Sequence, residues 1–114
     1  MEKPSRHPIL AMPHEYDIVD FRFFVNRQER IHSFIDLSLK KDEELVRLRF
    51  WQPVNLVIEQ GFPAATAGMI FYDVSSYQLE DIGVQVADFE SSNGSITFSA
   101  KCVERIIIPL SDYE

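Results

Sequence analysis

A histidine and three carboxylates lie close together near the start of the chain, at His14, Glu15, Asp17 and Asp20. Such groups can bind a divalent cation or transfer protons as an acid–base pair. Side chains two or three residues apart at the entry to a strand do not converge, however, and alternation turns Asp20 to one face only. We therefore expect solvated polar residues here. An enzyme of unknown chemistry using the His14/Asp17/Asp20 cluster stays open as an alternative.

Motifs for other chemistry do not occur in the sequence. There is no P-loop, no G-x-G-x-x-G, no H-E-x-x-H and no EF-hand loop, and Ser75 and Ser76 lack a G-x-S-x-G context. The chain has only four glycines, too few for a loop that cradles phosphates. We accordingly expect no cofactor and no metal, and we favour a protein that is not an enzyme.

The single cysteine, Cys102, excludes an internal disulfide and a cysteine-based zinc cluster. Its place in the alternation with Ile96 and Phe98 predicts a buried, inert thiol. No apolar run approaches the roughly 20 residues that a membrane helix needs, and the first residues lack the apolar region of a secretory signal. We therefore expect a cytoplasmic, bacterial-type protein that does not bind membranes.

The charge of the chain is uneven and argues against nucleic acid as a partner. The formal net charge is −7, and residues 61–114 contain two basic and eight acidic residues. A phosphate-binding surface needs clustered lysine and arginine. The basic residues of the first half are interleaved with acids, which is typical of a mixed, solvated surface.

The clearest structural pattern runs from Ile82 to Ile108, where two alternating apolar runs flank Asn93-Gly94. Asn-Gly between such runs is the strongest short-range hairpin signal, because both residues tolerate positive φ. We expect the turn Glu90–Ser95 to close this hairpin, with Asn93 and Gly94 at positive φ. Gly94→Val should therefore destabilise the protein, since a β-branched residue resists that conformation.

Most of the remaining sequence also predicts strands, separated by short turns. The resulting fold class is all-β: a single domain over 1–114, built as an antiparallel β-sandwich or a partly open barrel of about seven strands. Prolines predict an irregular lead-in over 1–15, and residues 109–114 form a loose tail. The predicted earlier strands are Ile18–Asn26, Ile31–Lys40, Leu45–Phe50, Val54–Ile58 and Met69–Val74.

Alternation within these strands predicts the core. A register error of one residue would turn the whole set of side chains to solvent, so the prediction is strict. The predicted core residues are Phe21, Phe23, Ile35, Leu37, Leu48, Val84, Val86, Ile96 and Phe98.

Some large apolar residues break the alternation. The run from Met69 to Tyr72 indicates a strand covered on both faces or a contact with another molecule. Phe24 and Phe34 fall on the polar phase of their strands, where they form a cross-strand pair or part of a binding patch. The second interpretation of the run predicts an interaction patch, with a homodimer as its simplest form. The patch comprises Met69, Phe71, Tyr72, Trp51, Phe62 and Tyr77, with Asp73, Glu80 and Asp81 as its polar rim.

The stretch from Ile58 through Gly68-Met-Ile-Phe-Tyr-Asp-Val-Ser-Ser-Tyr to Asp88-Phe-Glu-Ser-Ser-Asn-Gly-Ser-Ile-Thr-Phe resembles the C-terminal half of small uncharacterised bacterial β-domain proteins. Its strand-and-turn layout is also similar to that of some immunity proteins of bacterial toxin systems. The resemblance covers about half of the chain and carries no functional residues across. It implies a small intracellular binding protein that neutralises a protein partner, and acidic residues suit a basic partner.

The sequence therefore favours a non-enzymatic acidic protein that binds a protein partner or itself. Two alternatives remain: a small-ligand-binding barrel or the enzyme named above, and a structural subunit of a homo-oligomer. A polar pocket with two or more titratable groups would favour a small ligand. A flat apolar patch beside acidic groups would favour a protein partner.

Overall fold

The computed structural model describes residues 5–63, 68–77, 81–88, 90 and 94–107. These residues form an all-β fold with nine strands and three single 3-10 turns, at Pro13–Glu15, Arg30–His32 and Ser75–Tyr77. No helix among the described residues has the length and apolar character needed to cross a membrane. The strands are β1 (Ser5–Arg6), β2 (Asp17–Phe24), β3 (Phe34–Lys41), β4 (Glu44–Trp51), β5 (Val54–Ile58), β6 (Met69–Asp73), β7 (Val84–Asp88), β8 (Ile96–Ala100) and β9 (Cys102–Arg105).

The strands form two antiparallel sheets. One sheet has five strands in the order β1-β6-β7-β8-β5, and the other has four in the order β2-β3-β4-β9. The predicted all-β class is confirmed. Because each of the two sheets keeps two edges, the architecture is an open sandwich. The four-stranded sheet begins with the predicted meander, in which Lys41 lies opposite Glu44. Asp42 makes that turn at a φ of 52°, which Asp tolerates better than most residues.

The apolar core fills the space between the two sheets. Phe50 is fully buried, and its ring makes edge contacts with Phe71 and Phe98 at centroid distances of 5.6 and 4.9 Å. Such aromatic pairs add to the stabilisation that burial provides. Seven of the nine predicted core residues are buried, namely Ile35, Leu37, Leu48, Val84, Val86, Ile96 and Phe98.

The other two predicted core residues lie on β2. Phe21 is partly buried and packs against the core, with its ring 5.6 Å from that of Phe62. Phe23 keeps 40% of its surface exposed, so its prediction as core is wrong. The face is correct, since Phe23 lies opposite the buried Ile35. The exposure arises because β2 is an edge strand, which has a covering neighbour on one side only.

The buried thiol expected at Cys102 is also wrong, since the side chain is exposed. Strand β8 ends at Ala100 in the five-stranded sheet, whereas β9 begins at Cys102 in the four-stranded sheet. A bend at Lys101 separates them, and its N–H donates to the carbonyl of Trp51 at 2.8 Å. The alternation of β8 therefore does not continue into β9.

The lead-in and the last hairpin are partly as the sequence predicts. The lead-in contains a short strand that was not predicted, since Ser5 and Arg6 pair with Asp73 and Tyr72. Strands β7 and β8 pair as predicted, and Gly94 has a φ of 78°. Asn93 and the tail 109–114 lie outside the described residues.

Candidate interaction surface

Three aromatic rings form a row across the outer face of the four-stranded sheet. Phe24 lies opposite Phe34 on β3, which lies opposite Trp51 on β4. The first two rings stack with centroids 5.2 Å apart and 28° between their planes, and Phe34 meets Trp51 edge-on at 5.4 Å. Phe24 is 48% exposed, and the other two are partly buried. We call Phe24, Phe34 and Trp51 the aromatic row; the cross-strand pairing of its first two members is as predicted.

An arginine is fixed above this row. The guanidinium carbon of Arg49 lies 3.9 Å from the ring centroid of Phe34 and 5.6 Å from that of Trp51. Its Nε and Nη2 donate to the two carboxylate oxygens of Asp36 at 2.8 and 2.9 Å. This two-point hydrogen bonding with Asp36 raises the pKa of Arg49 above its ordinary value. The guanidinium is therefore held, charged, over the aromatic row.

Acidic side chains stand beside the aromatic row. Trp51 Nε1 donates to Glu104 Oε2 on β9 at 2.8 Å, which restrains the indole ring. The side chain of Asp36 is only 5% exposed beneath Arg49. The surface is thus an ordered group of aromatic, arginine and carboxylate side chains. Its aromatic and arginine residues are of the types enriched at protein interfaces.

A second ion-pair network occupies the same face further along the strands. Arg47 donates from Nε to Ser38 Oγ and from Nη2 to Asp20 Oδ2, both at 2.9 Å. The same Asp20 oxygen accepts a hydrogen bond from Arg22 Nε at 3.1 Å. Asp20 therefore neutralises two arginines, and its role in the fold is electrostatic.

The proposed chemistry of the His14/Asp17/Asp20 cluster receives no geometric support. His14 lies in a 3-10 turn, Asp17 is the exposed first residue of β2, and Asp20 pairs with arginines. Within the described part of the chain, no group of three or more histidine, cysteine, aspartate or glutamate residues could hold a metal ion.

A cleft opens next to the aromatic row, where β2 and β4 end. Its volume is about 460 Å³. Two of its residues, Gln52 and Asp81, have positive φ values of 52° and 59°. Such strained backbone often accompanies binding sites. We call this the end cleft; it is lined by Phe23, Val25, Arg30, Ser33, Gln52, Pro53, Val54, Asp81 and Ile82.

The centre of the interaction patch predicted from the sequence is buried. Met69 and Phe71 are 3% and 1% exposed, so the expectation that they reach the surface is wrong. They point into the core from β6, while Ile70, on the opposite face of that strand, is also buried at 7%. The 3-10 turn Pro13–Glu15 contacts β6. The unbroken apolar run therefore marks a strand covered on both faces, which was the other interpretation of the pattern.

The remaining members of that patch do not form one surface. Tyr72 belongs to the five-stranded sheet and Trp51 to the four-stranded sheet, while Phe62 packs against Phe21 inside the sandwich. Tyr77 lies in a 3-10 turn and is 40% exposed. In the polar rim, Asp73 accepts hydrogen bonds from the N–H and Oγ of Ser75 at 3.0 and 2.6 Å, and Asp81 lines the end cleft. Glu80 lies outside the described residues. Self-association or partner binding, which this patch was expected to mediate, stays a prediction that nothing tests.

Comparison with protein-family models, with curated proteins and with solved structures finds no match for this chain.

Sequence reasoning did not identify three residues of the candidate surface, namely Arg49, Asp36 and Glu104. A signal for the first two was present, because alternation places both on the outer face of adjacent strands. Once the hairpin register is known, Asp36 falls directly opposite Arg49. Glu104 comes from β9, whose pairing with β4 spans more than 50 residues of sequence and has no local signal.

Proposed function

We propose that this chain is a non-enzymatic interaction protein that binds a protein partner on the outer face of its four-stranded sheet. The observation that carries the proposal is the aromatic row with Arg49 stacked on it. Tryptophan, tyrosine and arginine are the side chains that most often dominate binding energy at interfaces. Large aromatic rings also lose little conformational entropy when they are already packed against each other.

The rigidity of the surface supports this function. Arg49 is held by Asp36, Trp51 by Glu104, and Phe24 by the ring of Phe34. A partner that covers these side chains would therefore have to order few of them on binding. Desolvation would also strengthen the attraction between the guanidinium and the rings.

The narrower form of the proposal is an immunity-type role, in which the chain neutralises its partner in the cytoplasm of a bacterium. Its support is the resemblance of the segment from Ile58 onward and the net charge of −7. An acidic protein associates readily with a basic partner, such as a nuclease whose cleft attracts phosphates.

Site-specific photo-crosslinking tests the proposal in the cells from which the gene comes. A benzoylphenylalanine placed at Trp51 should form a discrete adduct with one protein, identified by mass spectrometry. The matched control carries the same group at Val57, which is 49% exposed and lies on β5 of the other sheet. In a Phe34→Ala background the Trp51 adduct should weaken. No adduct at Trp51, or equal adducts at both positions, would contradict the proposal.

The end cleft supports a second candidate function, the binding of a small polar ligand. Its volume lies in the range of ligand sites, and Arg30 and Asp81 bring two groups of opposite charge to its wall. A thermal-shift screen with small carboxylates and amines tests this function. A stabilising compound whose effect disappears in Arg30→Ala or Asp81→Ala would support it, whereas a shift that survives both changes would place the ligand elsewhere.

A further inference from the structure

Strand β2 is an edge strand that spans eight residues and has no lysine or proline. Two of its three charged residues and the bulge in its ladder with β3 lie before Phe21, and such features protect an edge from pairing. The part of the edge that is open to a second chain therefore begins at Phe21. No strand of the described residues pairs with the side of β2 that faces away from β3. Val19, Phe23 and Phe24 are 52%, 40% and 48% exposed along it, and Val25 beyond its end is 56% exposed.

Hydrogen bonds at the end of β2 reveal which of its backbone groups point outward. The N–H of Asn26 donates to Ser33 Oγ, so it points toward the β3 side. The Ser33 carbonyl accepts a hydrogen bond from the N–H of Gln52, so the backbone groups of Ser33 point toward β4. The backbone groups of the next residue, Phe34, therefore point toward β2. Because these directions alternate in antiparallel sheets, Phe24 and Arg22 bond to β3. The N–H and C=O groups of Phe21, Phe23 and Val25 therefore point to the open edge.

We propose that two copies of this chain pair antiparallel through their β2 strands, about a two-fold axis at Phe23. The two four-stranded sheets then join into one continuous sheet. In this register Phe23 lies opposite Phe23 of the second copy, and Phe21 lies opposite Val25 of the second copy. Each of these pairs exchanges two backbone hydrogen bonds, which gives on the order of six between the chains.

Side-chain contacts favour this register over the two neighbouring registers whose axes lie nearer the start of β2. With the axis at Phe23, Arg22 lies directly opposite the exposed ring of Phe24 in the second copy, an arrangement that favours a cation–π contact. An axis at Arg22 would place the two Arg22 side chains opposite each other, and like charges in that position are destabilising. An axis at Phe21 would run into the bulge between Ile18 and Asp20, where the ladder is interrupted.

The inference goes beyond the proposed function by naming a second copy of the chain as the occupant of one edge. It uses the open edge of β2 and shares only the ring of Phe24 with the aromatic row, which the proposed partner contacts. The two can therefore fail separately, since an adduct formed at Trp51, two strands away from β2, does not depend on pairing of the edge.

Sedimentation velocity over a range of concentrations tests the pairing, with two substitutions at one position. Phe23→Pro removes the outward N–H and leaves the hydrogen bonds to β3 in place. Phe23→Ala removes the ring and keeps the N–H. The wild-type chain should form dimers, Phe23→Ala weaker dimers, and Phe23→Pro monomers. A wild-type chain that is monomeric at every concentration, or a Phe23→Pro protein that dimerises as well as wild type, would overturn the proposal.

Disulfide trapping tests the register. In a Cys102→Ser background, Phe23→Cys should oxidise to a covalent dimer, because Cα atoms of directly opposed strand residues lie within disulfide range. Val19→Cys is the matched control, an exposed position on the same strand outside the paired segment. Trapping at Phe23 should be roughly tenfold faster than at Val19, since pairing raises the effective thiol concentration. Equal rates would refute the two-fold axis at Phe23.

Discussion

Strands β2 and β3 are neighbours in the same sheet and each spans eight residues, but they differ in burial. Every residue from Ile35 to Leu39 on β3 is buried, whereas none of β2 is. Both strands alternate in sequence, and their inward residues face each other, as Phe23 faces Ile35. The difference shows that alternation assigns a side chain to a face, while the place of the strand in its sheet decides how far that face is covered.

The largest expected effect comes from truncating one member of that opposed pair. Ile35→Ala should lower the free energy of unfolding by about 2–5 kcal/mol, because the side chain is fully buried and leaves a cavity. Phe23→Ala should cost only about 1 kcal/mol, despite removing more atoms, because much of that ring already contacts water. Urea unfolding with matched slopes measures both values. Similar costs for the two variants would show that β2 is not an open edge.

A second pair of opposed residues extends the comparison of β2 with β3 to the outer face of the sheet, where Asp36 of β3 lies opposite Arg22 of β2. Asp36→Asn removes the charged acceptor from Arg49, whose side chain is 27% exposed. We expect a loss of about 1–2 kcal/mol, below the value for a fully buried pair because water reaches the guanidinium.

The matched control on β2 is Arg22→Gln. The Arg22 side chain is 56% exposed in its ion pair with Asp20, so the change should stay within about 0.5 kcal/mol. A larger loss for Arg22→Gln than for Asp36→Asn would contradict the assignment of the rigid network to β3 and β4. Both variants are measured by the same urea unfolding experiment.

The smallest expected effect is a pH dependence at the far end of the two strands. Lys41, at the end of β3, contacts Glu15, just before β2, with Nζ 2.7 Å from Oε1. The hydrogen bond and charge of Lys41 lower the pKa of Glu15 from its ordinary value of 4.5. As the pH falls, Glu15 is therefore protonated earlier in the unfolded chain than in the folded one. The stabilisation from this contact is complete well above pH 4.5 and is lost as the pH falls through the lowered pKa.

Lys41→Gln removes the charged group that lowers the pKa of Glu15, and with it this pH dependence. The urea midpoint of the variant should fall less steeply than that of wild type as the medium is acidified, and the two proteins should converge at low pH. Parallel pH profiles would show that the contact does not persist in solution, which is common for exposed ion pairs.

Much of this fold follows from local patterns in the sequence. The meander of β2, β3 and β4 was predictable because each strand pairs with its neighbour in the chain through a short turn. The hairpin of β7 and β8 was predictable from Gly94, whose φ of 78° suits glycine. The buried residues of central strands followed from alternation alone.

The rest depends on pairings that local patterns do not encode. The exposure of Phe23 depends on which strand lies at the edge, and that of Cys102 on the crossing from one sheet to the other. The burial of Phe71 depends on the packing of the sandwich around β6. In the candidate surface, the aromatic pair of Phe24 and Phe34 was predictable, whereas the contact of Trp51 with Glu104 required the long-range pairing of β4 with β9.

Residue-resolved amide exchange of β2 at low and high protein concentration is the most direct test that this strand is an open edge used for association. At low concentration the N–H groups of Arg22 and Phe24 should be protected by β3, whereas those of Phe21 and Phe23 should exchange quickly. At high concentration Phe21 and Phe23 should become protected as well, while Arg22 and Phe24 change little. Protection of all four amides at every concentration, or fast exchange of Phe21 and Phe23 at the highest, would contradict the account.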